Sequence, residues 1–389
     1  MASEQPSIAN DPHAYLQAYI ALDPSRDALF QLSGPVAAYI QEQEDATVFS
    51  MYLAAVARHM GVAVPAVAEL GQQRAHIIEA IGTAATKCDN RGIISDSGIL
   101  PALARWMHAA PASLTAAHVE FLQCSVLAAQ YHYARRMVDM EWPRPIEGSE
   151  LAQTLRYFYL RGLVHMGCEE WQWAVRSFWT CLSVPFEGIS AIVIAAWKKM
   201  VLCQCLLGGS TGLPPATSNA MSRFLTTREG ESQNIPAYRD LVKAFQGSDQ
   251  VQFTGLQQTH GEVWQTDGTT GLVDRLATEV LHCRVRHLAS VYSVISLDQL
   301  SNELRVPVGN LPLLLEQVNG LTVRTDGDFL CLDLVEPNPV SQEGLIQLMD
   351  LTERIRAIDL SIASSSRYQH LKDSSNRTAT SGPLGVAEL

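Results

Sequence analysis

The first 142 residues carry the pattern of apolar and polar positions that is typical of amphipathic helices. Residues 45–61 and 113–137 are alanine-rich stretches in which large apolar residues recur every three or four positions. Leu114, Ala117 and Phe121 begin such a stripe in the second stretch. The period-two alternation of strands, with paired turn signals, is missing here. We therefore predict helical repeats over residues 1–142, ended by the proline- and glycine-containing segment 143–149.

Residues 150–270 predict a second helical region, built of hairpins like those of tetratricopeptide repeats. One hairpin is clear in segment 156–185, where small residues stand at the expected helix contact and large residues fill the gaps. This pattern is carried by Phe158, Gly162, His165, Ala174, Phe178, Cys181 and Pro185. The next helix, within 190–209, is apolar on almost every side and should be buried between neighbours. Lys198 and Lys199 are predicted to form its one exposed edge.

The hairpin also contains a cluster of large aromatic residues. Trp171, Val175, Phe178 and Trp179 fall near one helix face and predict core packing. Trp173 lies off that face. It is therefore a candidate for contact with a partner protein.

The pattern changes near Gly271, where a short three-stranded module is predicted. A helix, a short β-prone run, two short helices and two β-rich runs follow one another, and the last two flank Asp326-Gly327, a strong hairpin signal. This order predicts a winged helix over residues 271–335 with its wing at 324–328. Either the strand around 321–325 or the strand at 329–334 should offer an open edge, which makes Leu321, Val323 and Phe329 candidate interface residues.

A last helix is predicted over residues 341–362. Its large apolar residues follow a 3,4 spacing, which is the pattern of a coiled-coil seam; they are Leu348, Leu351, Ile355, Ile358 and Ile362. The seam could bind partner helices or pack against its own domain, and the prolines at 337 and 339 favour the first alternative. Residues 363–389, rich in Ser, Thr and Gly, are predicted to be disordered.

The predicted fold class is thus dominated by α-helix, with a tetratricopeptide-like array, a winged helix and a C-terminal coiled-coil-type helix.

The composition indicates which partners to expect. Only 17% of the residues are charged, against about 25% in ordinary soluble domains, so part of the protein surface is expected to be buried against partner proteins. The net charge of −12 argues against non-specific electrostatic binding to nucleic acid or anionic lipid. Segment 307–319, the expected recognition helix, has no Lys or Arg, so no specific nucleic acid is expected. The start of the chain resembles no signal peptide and no run approaches about 20 apolar residues, so no membrane partner is expected.

The residue types that usually carry catalysis or bind metals do not form the known motifs in this sequence. The eleven histidines form neither His-x-His nor HExxH, and the eight cysteines form no C-x-x-C pair. Residues 208–212 match G-x-S-x-G in letters only, because a helix precedes them and prolines follow. Phosphate-binding glycine motifs are also missing. We therefore predict no catalytic, cofactor-binding or metal-binding residues, and no enzyme.

A helical array that runs into a winged helix resembles the PCI-domain family of scaffold subunits, found in the proteasome lid, the COP9 signalosome and translation initiation factors. More narrowly, three stretches resemble the subunit 3 family of the COP9 signalosome. The hairpin contributes Tyr157, Tyr159, Gly162, Gly167, Ala174, Phe178 and Pro185. The next helix contributes Ser190, Lys198, Lys199, Leu202, Leu206, Leu207 and Gly208. The C-terminal helix contributes Leu351, Glu353, Arg354, Ala357 and Asp359. Trp197 departs from the tyrosine expected before the two lysines.

The resemblance implies a non-catalytic scaffold, without cofactor, in an assembly that removes a ubiquitin-like modifier from cullins. Another subunit would supply the zinc peptidase. The implied partners are other signalosome subunits, joined through the edges of their winged helices and a bundle of C-terminal helices, and indirectly the cullin-RING ubiquitin ligases. The implied location is the cytoplasm and nucleus. Alternatives left open are a scaffold of the proteasome lid or of an initiation factor, and a nucleic-acid-binding PCI factor in RNA export.

Overall fold

A computed structural model describes most of the chain. The described residues are 8, 11–33, 35–63, 71–88, 90–108, 114–138, 151–184, 189–208, 211–214, 217, 219–318, 320–327, 329–334, 349–358 and 361. The chain divides into two compact units, Met1–Leu276 and Ala277–Leu389, and the division falls inside one long helix. No helix in the described ranges is both long and apolar enough to cross a membrane.

The first part of unit 1 is helical, as the apolar periodicity predicts. Its helices are α1 (Pro12–Ala21), α2 (Arg26–Gln31), α3 (Pro35–Glu42), α4 (Ala46–Ala63), α5 (Gly71–Cys88), α6 (Arg91–Asp96), α7 (Ile99–His108), α8 (Ala116–Leu127) and α9 (Tyr131–Val138). Polar side chains cap several of them: Asp11, Ser25 and Asn90 each accept a hydrogen bond from a backbone N–H of the first turn.

Helices continue through the rest of the chain up to the sheet. They are α10 (Leu151–Gly167), α11 (Trp171–Ser183), α12 (Ala191–Leu206), α13 (Asn219–Phe224), α14 (Arg228–Ser232), α15 (Ile235–Gln246), α16 (Gln250–Thr259), α17 (Gly261–Thr266) and α18 (Thr270–Val291). The division between the two units lies within α18. The fold class predicted from the sequence, helical and with one small sheet, is confirmed.

The predicted hairpin is formed by α10 and α11. Gly162 of α10 lies against the ring of Phe178 on α11, and a methyl group built on Gly162 would overlap that ring. Ala174 and Phe178 are fully buried, as expected for the facing side of α11. The prediction that Trp179 packs in the core is wrong, because this residue is 39% exposed. The buried face of α11 passes through Ala174, Phe178 and Cys181, and Trp179 lies about 100° from Phe178 around the helix.

The following helix, α12, begins at Ser190, whose side chain accepts a hydrogen bond from the N–H of Ile192. It is buried nearly all round, as predicted. The prediction that Lys198 and Lys199 form an exposed edge is wrong, because both side chains are buried. Partners distant in sequence explain their burial: Lys198 Nζ donates to Asp267 Oδ2 at 2.7 Å, and Lys199 Nζ donates to the Asp267 carbonyl at 3.2 Å.

Unit 2 contains the winged-helix arrangement that the sequence predicts. After α18 come β1 (Val294–Ser296), α19 (Leu297–Leu304), a 3-10 turn (Val308–Asn310), α20 (Leu311–Gln317), β2 (Leu321–Asp326) and β3 (Phe329–Leu334). The three strands form one antiparallel sheet in the order β1-β3-β2. Its core is made by leucines, valines and isoleucine from the helices and the sheet, among them Leu300, Leu311, Leu330 and Leu332. The turn begins one residue later than the Asp326-Gly327 signal predicts, because Asp326 still pairs with Phe329 in the sheet; Gly327, which follows it, has a left-handed backbone (φ +63°).

Candidate protein interaction site

Among the described residues, the sheet of unit 2 has one long edge that no other strand covers. In the order β1-β3-β2, β3 lies in the centre and β2 lies at the edge. The sequence predicts that either the strand around 321–325 or the strand at 329–334 forms the open edge. Of these two, β2 (321–326) is the strand at the edge. The strand 329–334 pairs along its length with β2 and over residues 329–331 with β1, so it is not the edge.

The register shows which backbone groups of β2 point outward. Leu332 donates its N–H to Ser293 on the β1 side at 2.9 Å, so it does not bond to Val323, its partner in β2. In an antiparallel pair, bonded and non-bonded positions alternate. The N–H and C=O groups of Leu321, Val323 and Thr325 therefore point away from β3, and no strand in the described residues pairs with them. This row can accept another strand in antiparallel or parallel pairing.

The side chains of β2 hold the strand in place while its outer backbone stays open. Leu321 and Val323 are half-buried and pack against the core of unit 2. On the opposite face Thr322 donates to the Asp333 carbonyl at 3.1 Å, and Arg324 lies 3.3 Å from the Asp333 carboxylate. Phe329, also nominated from the sequence, is 53% exposed on that face. In a contact with a partner, Leu321 and Val323 would therefore present mainly their backbone groups. Phe329 would present its ring.

A second exposed apolar surface lies on the C-terminal helix at residues 349–358. Leu351, Ile355 and Ile358 are 49%, 57% and 59% exposed. With about 100° per residue, the three fall within about 60° of one another around the helix. Leu348 and Ile362, the other two predicted seam residues, lie outside the described residues. The described seam thus offers three large apolar side chains to solvent on one stripe.

Trp173 is exposed to 43% on α11, where the sequence placed it off the core face. Its ring stacks on the buried His165 with centroids 6.3 Å apart, and the Arg176 guanidinium lies 5.4 Å from the Trp173 ring centroid. Trp and Arg are residue types that often dominate protein interfaces. These contacts hold the indole in one position while part of its face stays open.

Other groups that could carry chemistry are engaged in ion pairs within their own unit. On α18, Arg284 pairs with Glu303 at 3.2 Å and Arg286 pairs with Glu279 at 2.5 Å. In the described residues, no three His, Cys, Asp or Glu side chains are grouped as a metal site would require. What the described residues offer is an open strand edge and exposed apolar side chains.

Comparison with known proteins supports the resemblance drawn from the sequence. Residues 75–221 match the family described as "COP9 signalosome complex subunit 3, N-terminal helical repeats". Two curated relatives carry the name "COP9 signalosome complex subunit 3". The one from Dictyostelium discoideum is 22% identical over 199 residues, which cover 50% of this chain and 46% of the relative. The one from Drosophila melanogaster is 21% identical over 152 residues, covering 39% and 33%. The resemblance to COP9 signalosome subunit 3 is confirmed.

The matched region reaches further towards the N-terminus than the sequence motifs did. It runs from α5 through the α10–α11 hairpin and α12 to α13, whereas the motifs began at Tyr157. The matches to the two relatives span less than half the length of each. The matched helical repeats do not include β2 or the C-terminal helix, so the role of both surfaces is a proposal.

Proposed function

We propose that this chain is a structural subunit of a COP9 signalosome, acting through protein contacts and not through catalysis. The observation that carries the proposal is the match of residues 75–221 to the helical repeats of signalosome subunit 3, together with two relatives of that name. The names favour this assembly over the proteasome lid, initiation factors and RNA-export factors.

The open edge of β2 supports a contact with the winged helix of a neighbouring subunit. Strand addition uses main-chain hydrogen bonds for affinity, and β2 has the outward groups of Leu321, Val323 and Thr325 for this purpose. An exposed strand edge is a liability in an isolated protein, and burial in an assembly removes that liability.

The apolar stripe on the C-terminal helix supports a second contact, with helices of other subunits. Each large apolar side chain gains about 1.5–3 kcal/mol when it leaves water completely, so Leu351, Ile355 and Ile358 favour a buried position in an assembly. Trp173 is a third candidate contact, on the helical array.

The finer role follows from the resemblance. We infer that the assembly removes a ubiquitin-like modifier from cullins, that another subunit carries the zinc peptidase, and that the link of this chain to cullin-RING ligases is indirect. The sequence offers no His-x-His or HExxH ligand pair for such a zinc, which is consistent with this role. We propose the cytoplasm and nucleus as the location.

The test is purification of the tagged full-length chain from its own cells, with mass spectrometry of what accompanies it. We expect the other signalosome subunits at near-equal amounts, and cullin-modifier removal by the purified assembly. The chain on its own should hold no stoichiometric zinc by metal analysis and should leave modified cullin unchanged. Recovery of proteasome-lid or initiation-factor subunits in their place would refute the proposal.

A further inference from the structure

A cavity of about 500 Å³ lies within unit 1. Its walls come from α8 to α12 and from the start of α18, and they are largely apolar, with Val126, Leu163, Met166, Trp171 and Leu272 among the lining residues. This volume and lining are those of sites that bind small molecules or single side chains. Four charged residues also line it: Glu169, Lys199, Asp267 and Arg275.

The acidic and basic groups of the cavity do not balance. Glu169 and Arg275 neutralise each other through two contacts of 2.6 and 2.7 Å, at half-exposed positions. The Asp267 carboxylate accepts a hydrogen bond from Lys198 Nζ at 2.7 Å and another from the Tyr238 hydroxyl at 2.9 Å. Lys198 itself is not among the residues that line the cavity. Lys199 therefore remains as one positive charge in excess.

Lys199 is also poor in hydrogen bonds for a buried ammonium. An ammonium has three N–H donors. In the part of the chain that the structure describes, its one acceptor is the Asp267 carbonyl at 3.2 Å, and the face of Tyr159 lies 5.7 Å away. Burial lowers the pKa of Lys199, as does the neighbouring Lys198, and the charge of Asp267 opposes this shift. Among the described residues, no carboxylate contacts the Lys199 ammonium directly, because that of Asp267 is paired with Lys198.

We propose that this cavity binds a carboxylate carried on an apolar or aromatic body, with the Lys199 ammonium as its counter-ion. The carboxylate would supply the missing acceptor and cancel the excess charge, while the apolar walls bury the rest of the ligand. The carboxylate could belong to a free organic acid or to an acidic side chain of a partner, because both present the same group. The inference does not depend on the assembly proposed above.

The test uses calorimetric titration of the full chain at neutral pH with matched acid and amide probes. The free probes are 4-phenylbutyrate and 4-phenylbutyramide; the peptide probes are acetyl-Phe-Glu amide and acetyl-Phe-Gln amide. We expect an acid to bind at least tenfold more tightly than its amide. A preference for the free acid alone assigns the site to a small molecule, and a preference for the acidic peptide alone assigns it to a partner side chain. Equal binding of acid and amide in both pairs, or no binding, overturns the proposal.

Two variants locate the binding. Lys199→Met keeps the length of the side chain and removes the charge, so it should abolish the preference for the acid. Gly271 lines the cavity in helical conformation, and an added Cβ there meets no atom within 4 Å, so Gly271→Leu should fold and obstruct the site. If either variant binds the acid as tightly as the unchanged protein, the ligand lies elsewhere and the assignment is wrong.

A stability comparison checks the premise without any ligand. Lys198→Met should lower the midpoint of thermal unfolding because it leaves the Asp267 carboxylate without its cation. Lys199→Met should leave the midpoint unchanged or raise it, because it removes an uncompensated buried charge. A loss of stability in Lys199→Met as large as that in Lys198→Met would show that the fold already compensates Lys199, and would overturn the proposal.

Discussion

At the scale of single residues, Gly162 determines how closely α10 approaches α11. Its missing side chain leaves the space that the Phe178 ring occupies. Ala174 and Cys181, on the facing side of α11, are fully buried. The small residues at these positions were visible in the sequence because their spacing is that of a helical hairpin.

We expect Gly162→Ala to destabilise unit 1, because its methyl group must displace the Phe178 ring in a closely packed contact. Overpacking of this kind costs about 1–3 kcal/mol in the free energy of unfolding. The matched control is Gly255→Ala in α16, where an added Cβ meets no atom within 4 Å and helix propensity should give a gain of about 0.5–1 kcal/mol. Urea unfolding of both variants provides the measurement. If both substitutions change the free energy of unfolding equally, the contact between Gly162 and Phe178 is loose enough to accept a methyl group.

The burial of Lys198 and Lys199 on α12 could not be predicted from the sequence pattern. Two adjacent cations on an otherwise apolar helix predict an exposed edge. Asp267, which accepts hydrogen bonds from both lysines, lies about 70 residues further along the chain, and Tyr238, whose ring centroid is 5.4 Å from Lys198 Nζ, lies about 40 residues further. No periodicity in the sequence brings such groups together. Trp179 is a different case, because its offset of about 100° from Phe178 around α11 already takes it off the buried face. Burial of polar residues depends on tertiary partners, whereas the helices themselves follow from local spacing.

At the scale of elements, the sheet of unit 2 depends on strand order. The sequence predicts the β2–β3 hairpin from its turn residues, since Asp-Gly favours the left-handed backbone of a two-residue turn. Which strand lies in the centre is not encoded in that signal. The short β1 pairs with β3 and leaves β2 at the edge, and that pairing depends on how α19 and α20 pack beneath the sheet.

The open edge gives a prediction for proline substitutions at two neighbouring positions. The N–H of Val323 points away from β3, so Val323→Pro removes an outward donor and leaves the β2–β3 hydrogen bonds in place. We expect this variant to fold, with a modest loss of stability, and to lose co-purifying subunits. The measurement is the amount of each subunit recovered with the tagged chain.

The control is Arg324→Pro, whose N–H lies in the β2–β3 ladder. It should destabilise unit 2 itself, because proline removes a hydrogen bond inside the sheet. The ion pair that it also removes is exposed and contributes little. Retention of all subunits by a folded Val323→Pro variant would rule out assembly through this edge.

At the scale of the whole molecule, the low fraction of charged residues agrees with the number of large apolar side chains on the surface. Only 17% of the residues are charged, and large apolar side chains are exposed on both units, including Trp173, Phe329 and Ile355. The sequence predicted a chain that buries surface against partners, and it named these residues. Which partner covers which surface depends on the shapes of other chains, which this sequence does not contain.

The C-terminal helix gives the prediction that belongs to this scale. We expect the double variant Ile355→Asp, Ile358→Asp to fold as the unchanged chain does, because both side chains are more than half exposed in it. In the assembly the two carboxylates would have to leave water, so stable incorporation should be lost. Thermal unfolding of the isolated chain and co-purification of the other subunits measure the two effects separately.

Met349→Asp is the matched control for that pair. Met349 is also exposed but lies about 160° from Leu351 around the helix, off the seam. An acidic residue there should leave incorporation intact if the seam makes the contact. If the double variant instead melts early as an isolated chain and still assembles, Ile355 and Ile358 pack within their own domain, and the helix supports this chain and not its neighbours.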